Sequence, residues 1–425
     1  MVQRERIGAA LAGGGVALFV VMLLVSAALA PSLGPAVGDS GVKTLVGSQG
    51  GGAGLHEDGS VYLLNGTETV WKEGSAESYF DVTRLDNGSV MAGFMQSGYE
   101  QCGPYESPCV HTGYRIIEPD PEPRIVSEYS FPVRTRSNSE VHDVEKLPSG
   151  EFLMTDMDAE RIFTVRNGEV TWQWNASSFY EAPPDPTQTD WLHINDVDRI
   201  GDGRYLVSVR NAHQLLIVER GEGKYDAEVV EVINKDANPN DDRRRGDTDL
   251  LEKQHNPQWL GDGAVLVADS ENDRVVELHR NDATDEWEIA WVLTEADGQG
   301  FAWPRDADRL ENGNTLITDS LGKRVVEVNE SGATIWRAQT PLVPYEAERL
   351  PEGETVGAQR YETGDVDVES AEVPVLSLLL RAAKSSYPLP VWLSEVHVLL
   401  TLVSLGLVLT GTGTVVGSRL SRRLR

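Results

Sequence analysis

Six times along this chain a leucine or isoleucine is followed, three residues later, by a turn glycine: Leu85/Gly88, Leu147/Gly150, Ile200/Gly203, Leu260/Gly263, Leu310/Gly313 and Leu350/Gly353. After each glycine comes a short β-branched run (FLMTD, YLVSV, VLVAD, TLITD). Most copies add a second run (RIFTV, LLIVER, RVVELH, RVVEV), and several a third containing tryptophan (VTWQW, IAWVL, TIWRA). Such runs, separated by glycine-bearing turns, are strands. The fullest copy is Gln254 to Arg280. Counting five residues back from each mark gives one equivalent position per copy, Phe80, His142, Asn195, His255, Arg305 and Tyr345, at intervals of 40 to 62 residues. Units of about 40 residues with four short strands are propeller blades, and the longer intervals absorb loop insertions. The expected fold is all-β, a six-bladed β-propeller.

The sixth copy says how the ring closes. After Tyr345 the chain has only EAERLPEGETVGAQ, read as strands one and two, while VYLLNGTETVWKE, Val61 to Glu73, aligns with strands three and four of the other blades. N- and C-terminal strands are therefore expected to share one blade, which removes exposed sheet edges. The propeller is placed at 41–361.

Two uncharged stretches flank it. Residues 7–30 follow Arg4 and Arg6 and read as a signal peptide or a signal anchor; Pro31, just past the Ala28-Leu29-Ala30 site, disfavours cleavage and favours the anchor. A C-terminal transmembrane helix is expected at 391–418, followed by Arg419, Arg422, Arg423 and Arg425, and 362–390 reads as an acidic, then amphipathic, linker. Basic residues lie on the chain-end side of both spans, which places both termini in the cytoplasm and the propeller on the extracytoplasmic side of a cell membrane. Cys102 and Cys109, the only cysteines, sit in one Gly/Pro-rich insertion, a spacing suited to a disulfide in an oxidising compartment. Free thiols are the alternative. Asn65, Asn87, Asn175 and Asn329 begin glycosylation sequons, usable where the compartment allows.

The formal net charge is −30, from 67 acidic and 37 basic residues. Such a charge argues against nucleic acid as a partner, since its phosphates would be repelled. The acids are distributed through every turn and read as a solvated, salt-adapted surface. The segment Asn238 to Asp249 reads as a polar insertion within the third blade.

Chemistry is expected where equivalent positions converge. The first strand of a blade is innermost, so its starting residues crowd one mouth of the central channel, where His142, Asn195, His255 and Arg305 fall. His193, two residues before Asn195, faces the same side if the chain is extended there. Arg210 ends the third blade's second strand, antiparallel to the first, and adjoins the same mouth. Asp156/Arg161, Asp269/Arg274 and Asp319/Arg324, five apart at one turn, read as ion pairs internal to blades; the third blade breaks that rule with Val209 and Gln214, and Arg210 stands beside the break. Histidines, asparagine and arginines suit an anionic, oxygen-rich ligand. Three histidines could instead hold a metal, but the arginines oppose a cation, and no metal or other cofactor is expected.

At these residues the chain resembles the bacterial arylsulfate sulfotransferases, six-bladed propellers that use no nucleotide sulfate donor. The resemblance rests on DWLHIND, Asp190 to Asp196, on the SVRNAHQ that follows, and on QHNPQWL, Gln254 to Leu260; it covers roughly Leu45 to Arg360. It implies that His255 becomes transiently sulfated, that His193, Asn195 and Arg210 hold the sulfuryl group, and that His142 is similar to another sulfate-binding histidine. For the proton of the phenolic oxygen the expected catalytic residue is His142, with a sulfate-holding role as the alternative. The implied partners are an aryl sulfate donor and a phenolic acceptor. Arg305 stands where the family has a different polar pair. VADSENDRVVEL and ITDSLGKRVVEV also look like NHL-type repeats, on which reading the propeller is a membrane-anchored binding module; a structural envelope protein is a third possibility.

Overall fold

The computed structural model describes residues 2–29, 41–51, 56–137, 139–186, 189–236, 244–361, 375–376, 379–380, 383 and 393–423, in two compact units. The larger unit is a six-bladed β-propeller. Its first five blades are antiparallel four-stranded sheets, each in chain order from the inside out. Their innermost strands are β1 (Ser78–Arg84), β2 (Val144–Lys146), β3 (Ile194–Gly201), β4 (His255–Gly261) and β5 (Pro304–Arg309), which lie against one another around the channel.

The sixth blade closes the ring by a different division from the expected one. Its innermost strand, β6 (Val343–Leu350), which contains Tyr345, is the one strand of that sheet taken from the C-terminal side; the next three are Lys43–Gly50, Ser60–Asn65 and Glu68–Glu73. Pro351 lacks an N–H to continue a ladder, and 351–361 leaves the sheet to bind the fourth and fifth blades: Gly357 N donates to Trp259 O, Tyr361 N to Glu277 Oε1, and Arg309 Nη1 to Gln359 O. KTLVGSQG, unrecognised because it precedes the first mark, takes the vacated place.

The mouth residues owe their aim to β-bulges. The pairing of the first two strands slips between Tyr79 and Val82, Ile194 and Asp196, His255 and Gln258, and Pro304 and Asp306. In a regular strand neighbours point to opposite faces; a bulge leaves an extra residue free to turn inward. Asn195 and Asp196, or Arg305 and Asp306, can thus both address the channel.

The carboxylates correct the reading of charge. Asp81, Asp143, Asp196, Asp306 and Glu346 occupy the same position in five blades, with Asn256 in the fourth, and Glu145, Asp198, Asp308 and Glu348 follow two residues on. Several accept N–H groups of the next blade: Val144 N to Asp81, Val197 N to Asp143 (2.7 Å), Ala347 N to Asp306 (3.0 Å) and Val82 N to Glu346. Burial, then mutual repulsion, pushes Asp81, Asp196, Asp198 and Asp308 well above the carboxylate range, and burial carries Asp143 and Asp306 up to about 7. These nine of the 67 acidic residues are therefore buried or half-buried around the channel rather than on the solvated face.

The three repeat pairs form as expected, Arg161, Arg274 and Arg324 Nε lying 2.7–2.8 Å from Asp156, Asp269 and Asp319. The sulfurs of Cys102 and Cys109 are bonded. The polar insertion at Asn238 falls between the third and fourth blades, since the third ends with Ala227–Ile233; 237–243 are outside the described residues.

The smaller unit pairs α1 (Val2–Leu29) with α2 (Glu395–Arg423), two helices long and apolar enough to cross a membrane. They run antiparallel: His397 Nε2 is 2.7 Å from Ser26 Oγ at one end, and Arg422 is 3.4 Å from Glu5 at the other. Gly8 and Gly15 permit the close approach, because a Cβ there would meet Gly411 O at 2.7 Å and Ser404 O at 2.6 Å. Most of the linker at 362–390 lies outside the described residues.

Candidate active site

All six sequence-derived residues meet at one mouth. The ring of His142 stacks on His193 (centroids 5.4 Å apart) and on Tyr345 (5.3 Å); His255 stands edge-on to Tyr345 at 6.2 Å. The Arg305 guanidinium lies 4.9 Å from the Tyr345 ring and 4.0 Å from that of Trp303. Tyr345 thus touches His142, His255 and Arg305 at once, and Phe80 stands edge-on to His142 at 5.1 Å.

His193 is not on an extended segment. Its φ is +56°, and the strand begins only at Ile194. Lys253 and Trp303, likewise two residues before the equivalent position, also have positive φ, +50° and +55°. Carboxylates hold these turns: Glu160 accepts the N–H groups of Trp191, Leu192, His193 and Ile194, and Asp273 that of Trp303. Each of the two lies in a turn of the preceding blade, so each blade shapes the entry to the next.

Hydrogen-bond counting fixes the tautomer of His255. The Ser270 hydroxyl has one proton, directed at Pro304 O at 2.6 Å, so its oxygen accepts from His255 Nδ1 at 2.8 Å. Nδ1 therefore carries hydrogen and Nε2 a lone pair. Burial first, then Arg210, Arg305 and the two other histidines, holds His255 well below the usual imidazole range, so it is neutral at physiological pH. Burial likewise keeps His142 well below that range, against the pull of Glu140.

Several polar atoms here are buried without a protein partner: His142 Nδ1, Asn195 Oδ1, Arg210 Nε, Trp303 Nε1, Arg305 Nε and Tyr345 Oη. Buried polar groups are normally paired. Most of these are donors, two on guanidinium groups, which is the complement of an oxyanion. Both arginines keep other anchors: Arg210 Nη1 donates to Asn211 Oδ1 at 3.0 Å, and Arg305 Nη1 to Gln49 Oε1. Burial lowers Arg305 to about 10, still cationic. Asn195 Nδ2 donates to Gln254 O at 2.9 Å, tying the third blade to the residue before His255. Among the described residues no group of three or more His, Cys, Asp or Glu side chains could hold a metal ion.

Sequence reasoning missed Trp303, Ser270, Asp190 as a partner of His193, and the His56–Glu140 pair. His56 Nε2 stands 2.9 Å from Glu140 Oε1. Burial would raise Glu140, but His56, His142 and His193 outweigh it and hold the carboxyl at about 2. Glu140 precedes His142 by two residues as His193 precedes Asn195, a signal the repeat alignment carried. His111 is held instead by Ser130 and Gln101 O, and His279 by Glu277.

No family model and no curated protein matches this chain. It is similar in fold to solved structures. A protein of unknown function from Bacteroides caccae is 15% identical, with a TM-score of 0.50 over 74% of this chain and 100% of that one. The periplasmic gluconolactonase of Pseudomonas aeruginosa is 12% identical (TM-score 0.43; 73% and 99% covered), and virginiamycin B lyase from Staphylococcus aureus 14% (0.36; 62% and 70%). At these identities the likeness is one of fold.

Proposed function

We propose that this propeller is an enzyme that transfers a sulfuryl group from an aryl sulfate to a phenol through a sulfated His255, the reaction that the resemblance of DWLHIND and QHNPQWL implies. The observation that carries the reading is the environment of His255: a neutral imidazole, its Nε2 lone pair fixed by Ser270, set among unpaired donors. A neutral imidazole is a competent nucleophile without a base to deprotonate it. Attack of Nε2 on sulfur forms an N–S bond and expels a phenolate; a second phenol then takes the group from the histidine.

Arg210 and Arg305 offer N–H groups to the sulfuryl oxygens as charge redistributes, each worth on the order of 3 kcal/mol in the transition state when well aimed. Asn195 ties the third blade to the start of the fourth. Partly exposed Trp303 provides aromatic surface for the aryl groups, with Tyr345 and Phe80 packed behind the histidines. The arginine distribution beside α1 and α2 supports a propeller held on the extracytoplasmic face of a membrane, with both termini cytoplasmic.

The test is mass spectrometry of full-length protein after a donor alone, 4-nitrophenyl sulfate, with no acceptor. One sulfuryl group is expected on the peptide spanning Gln254 to Arg274, absent from His255→Asn. An unmodified protein, as a binding module would give, or a sulfuryl group on another residue, overturns the reading.

A further inference from the structure

The mouth histidines differ in what stands behind them. His255 is backed by the Ser270 hydroxyl, and His142 Nδ1 has no partner. His193 is hydrogen-bonded to a carboxylate, its Nδ1 3.1 and 3.2 Å from the two oxygens of Asp190. The arrangement is built in. Asp190 and His193 bracket a tight turn whose N–H groups converge on Glu160 Oε1, Trp191 at 3.0 Å, Leu192 at 2.7 Å and His193 at 2.9 Å. A non-glycine residue at positive φ is strained, and this carboxylate offsets the strain. The result presents the His193 ring against that of His142, 26° from parallel.

We propose that His193 moves the proton of the phenolic oxygen, as acid in one half-reaction and base in the other, and that Asp190 is its positioning residue. The proposal rests on the sulfuryl-transfer reading. With Nδ1–H committed to Asp190, proton exchange takes place at Nε2, the division of labour that a carboxylate imposes on a catalytic histidine. In the first half-reaction His255 Nε2 bonds to sulfur, the S–O bond breaks, and its electron pair goes to the aryl oxygen, which takes the proton from His193 Nε2. In the second, His193 Nε2 removes the proton of the acceptor phenol, the phenolic oxygen bonds to sulfur, and the S–N pair returns to His255. His193 ends the cycle protonated as it began, and nothing further is consumed.

The surroundings favour His193 over His142 for this work. Asp190 and Glu140 stabilise its imidazolium; burial, Arg210, and the His142 and His255 rings oppose it. His142 lacks a hydrogen-bonded carboxylate and faces Arg305 and Arg210 as well as His193. Burial and then Arg210 hold His193 below the ordinary imidazole range. An anionic aryl sulfate beside Arg210 offsets that repulsion, so the donor enters with a proton.

One group needed protonated in one half-reaction and neutral in the other gives opposite pH limbs: kcat/KM for the donor falls as pH rises, and kcat/KM for the acceptor falls as pH drops. The experiment compares full-length wild type and Asp190→Asn in detergent with phenyl sulfate, which leaves as a basic phenolate, and 4-nitrophenyl sulfate, whose leaving group needs little protonation. Asp190→Asn is expected to slow phenyl sulfate by ~10²-fold, a usual general-acid effect, and 4-nitrophenyl sulfate by only a few fold, with both pH limbs displaced to lower pH and with partial recovery in Asp190→Glu. Equal losses on the two donors with unmoved limbs, or a protein that no longer folds in either variant, assigns Asp190 to structure and overturns the proposal. A wild type that transfers no sulfuryl group defeats the underlying reading instead.

Discussion

His255 Nδ1 is bonded to Ser270 Oγ at 2.8 Å, while the Ser270 proton is directed to Pro304 O. One hydroxyl thus decides which nitrogen of the histidine faces the mouth unprotonated. Ser270→Ala removes that decision. The loss of a hydrogen bond of this kind is worth roughly 1–1.5 kcal/mol, so histidine sulfation by a single donor turnover should slow by about tenfold. Rapid-quench measurement of phenol release checks it; an unchanged rate means the tautomer does not limit the step.

Arg210 stands where the third blade departs from the Asp/Arg rule, its Nε buried and unpaired. Arg210→Ala should lower kcat by about 10²–10³, the usual consequence of losing one donor to a transferring group. Arg210→Lys should recover little, because a lysine cannot reproduce the planar fork. Steady-state kinetics with 4-nitrophenyl sulfate decides; a change confined to KM would move Arg210 from transition-state stabilisation to plain binding.

The channel carboxylates make stability depend on pH in a stated direction. Burial raises Asp143, Asp306 and Glu348 to about 7, above the roughly 4 of an unfolded carboxylate. Between those values the native state binds more protons than the unfolded chain, so each contribution is full below about pH 4 and is lost as pH rises through 7. The buried histidines act oppositely, but only below about pH 6.5, where unfolded imidazole charges. From pH 6.5 to 8 the carboxylates govern, and Tm of the propeller should fall by roughly 3–6 °C. A Tm that rises over that interval contradicts the raised carboxyls.

The bond between Cys102 and Cys109 closes a short loop. Replacing both by serine should cost about 2–3 kcal/mol at most in the chain-entropy account. The rest of that blade is tied independently, Arg115 Nε to Glu128 at 2.9 Å and through Nη1 to Tyr79. Sulfuryl transfer should therefore survive the change. Alkylation without reduction that labels both cysteines removes the premise.

Repeat architecture was legible because each blade repeats its own turn glycine, and the convergence of His142, Asn195, His255 and Arg305 follows from their common register. What escaped depended on breaks in that register. Alternation allows one inward residue in two, so Asp81, Asp196 and Asp306, adjacent to mouth residues, read as solvent-facing until the bulges turned both inward. The placement of His193 was right for a reason other than the expected one, since a left-handed turn, not an extended strand, aims it. His56, far from any repeat mark, reaches Glu140 only through the closed ring. Lys43–Gly50 carries glycine and serine among its apolar residues, too weak a pattern to rank above the segment after Leu350.

The division of the sixth blade into one late strand and three early ones has a consequence for biosynthesis. Ser48 Oγ donates to Val343 O across 295 residues of sequence. The three strands from Lys43 to Glu73 emerge from the ribosome first, with the inner edge of Lys43–Gly50 unpaired, and every other blade must be made before β6 arrives to cover it. An unpaired edge recruits other strands. For this chain the hazardous interval is the whole of elongation, and slow translation or truncation late in the message should turn a closing ring into a nucleus for aggregation.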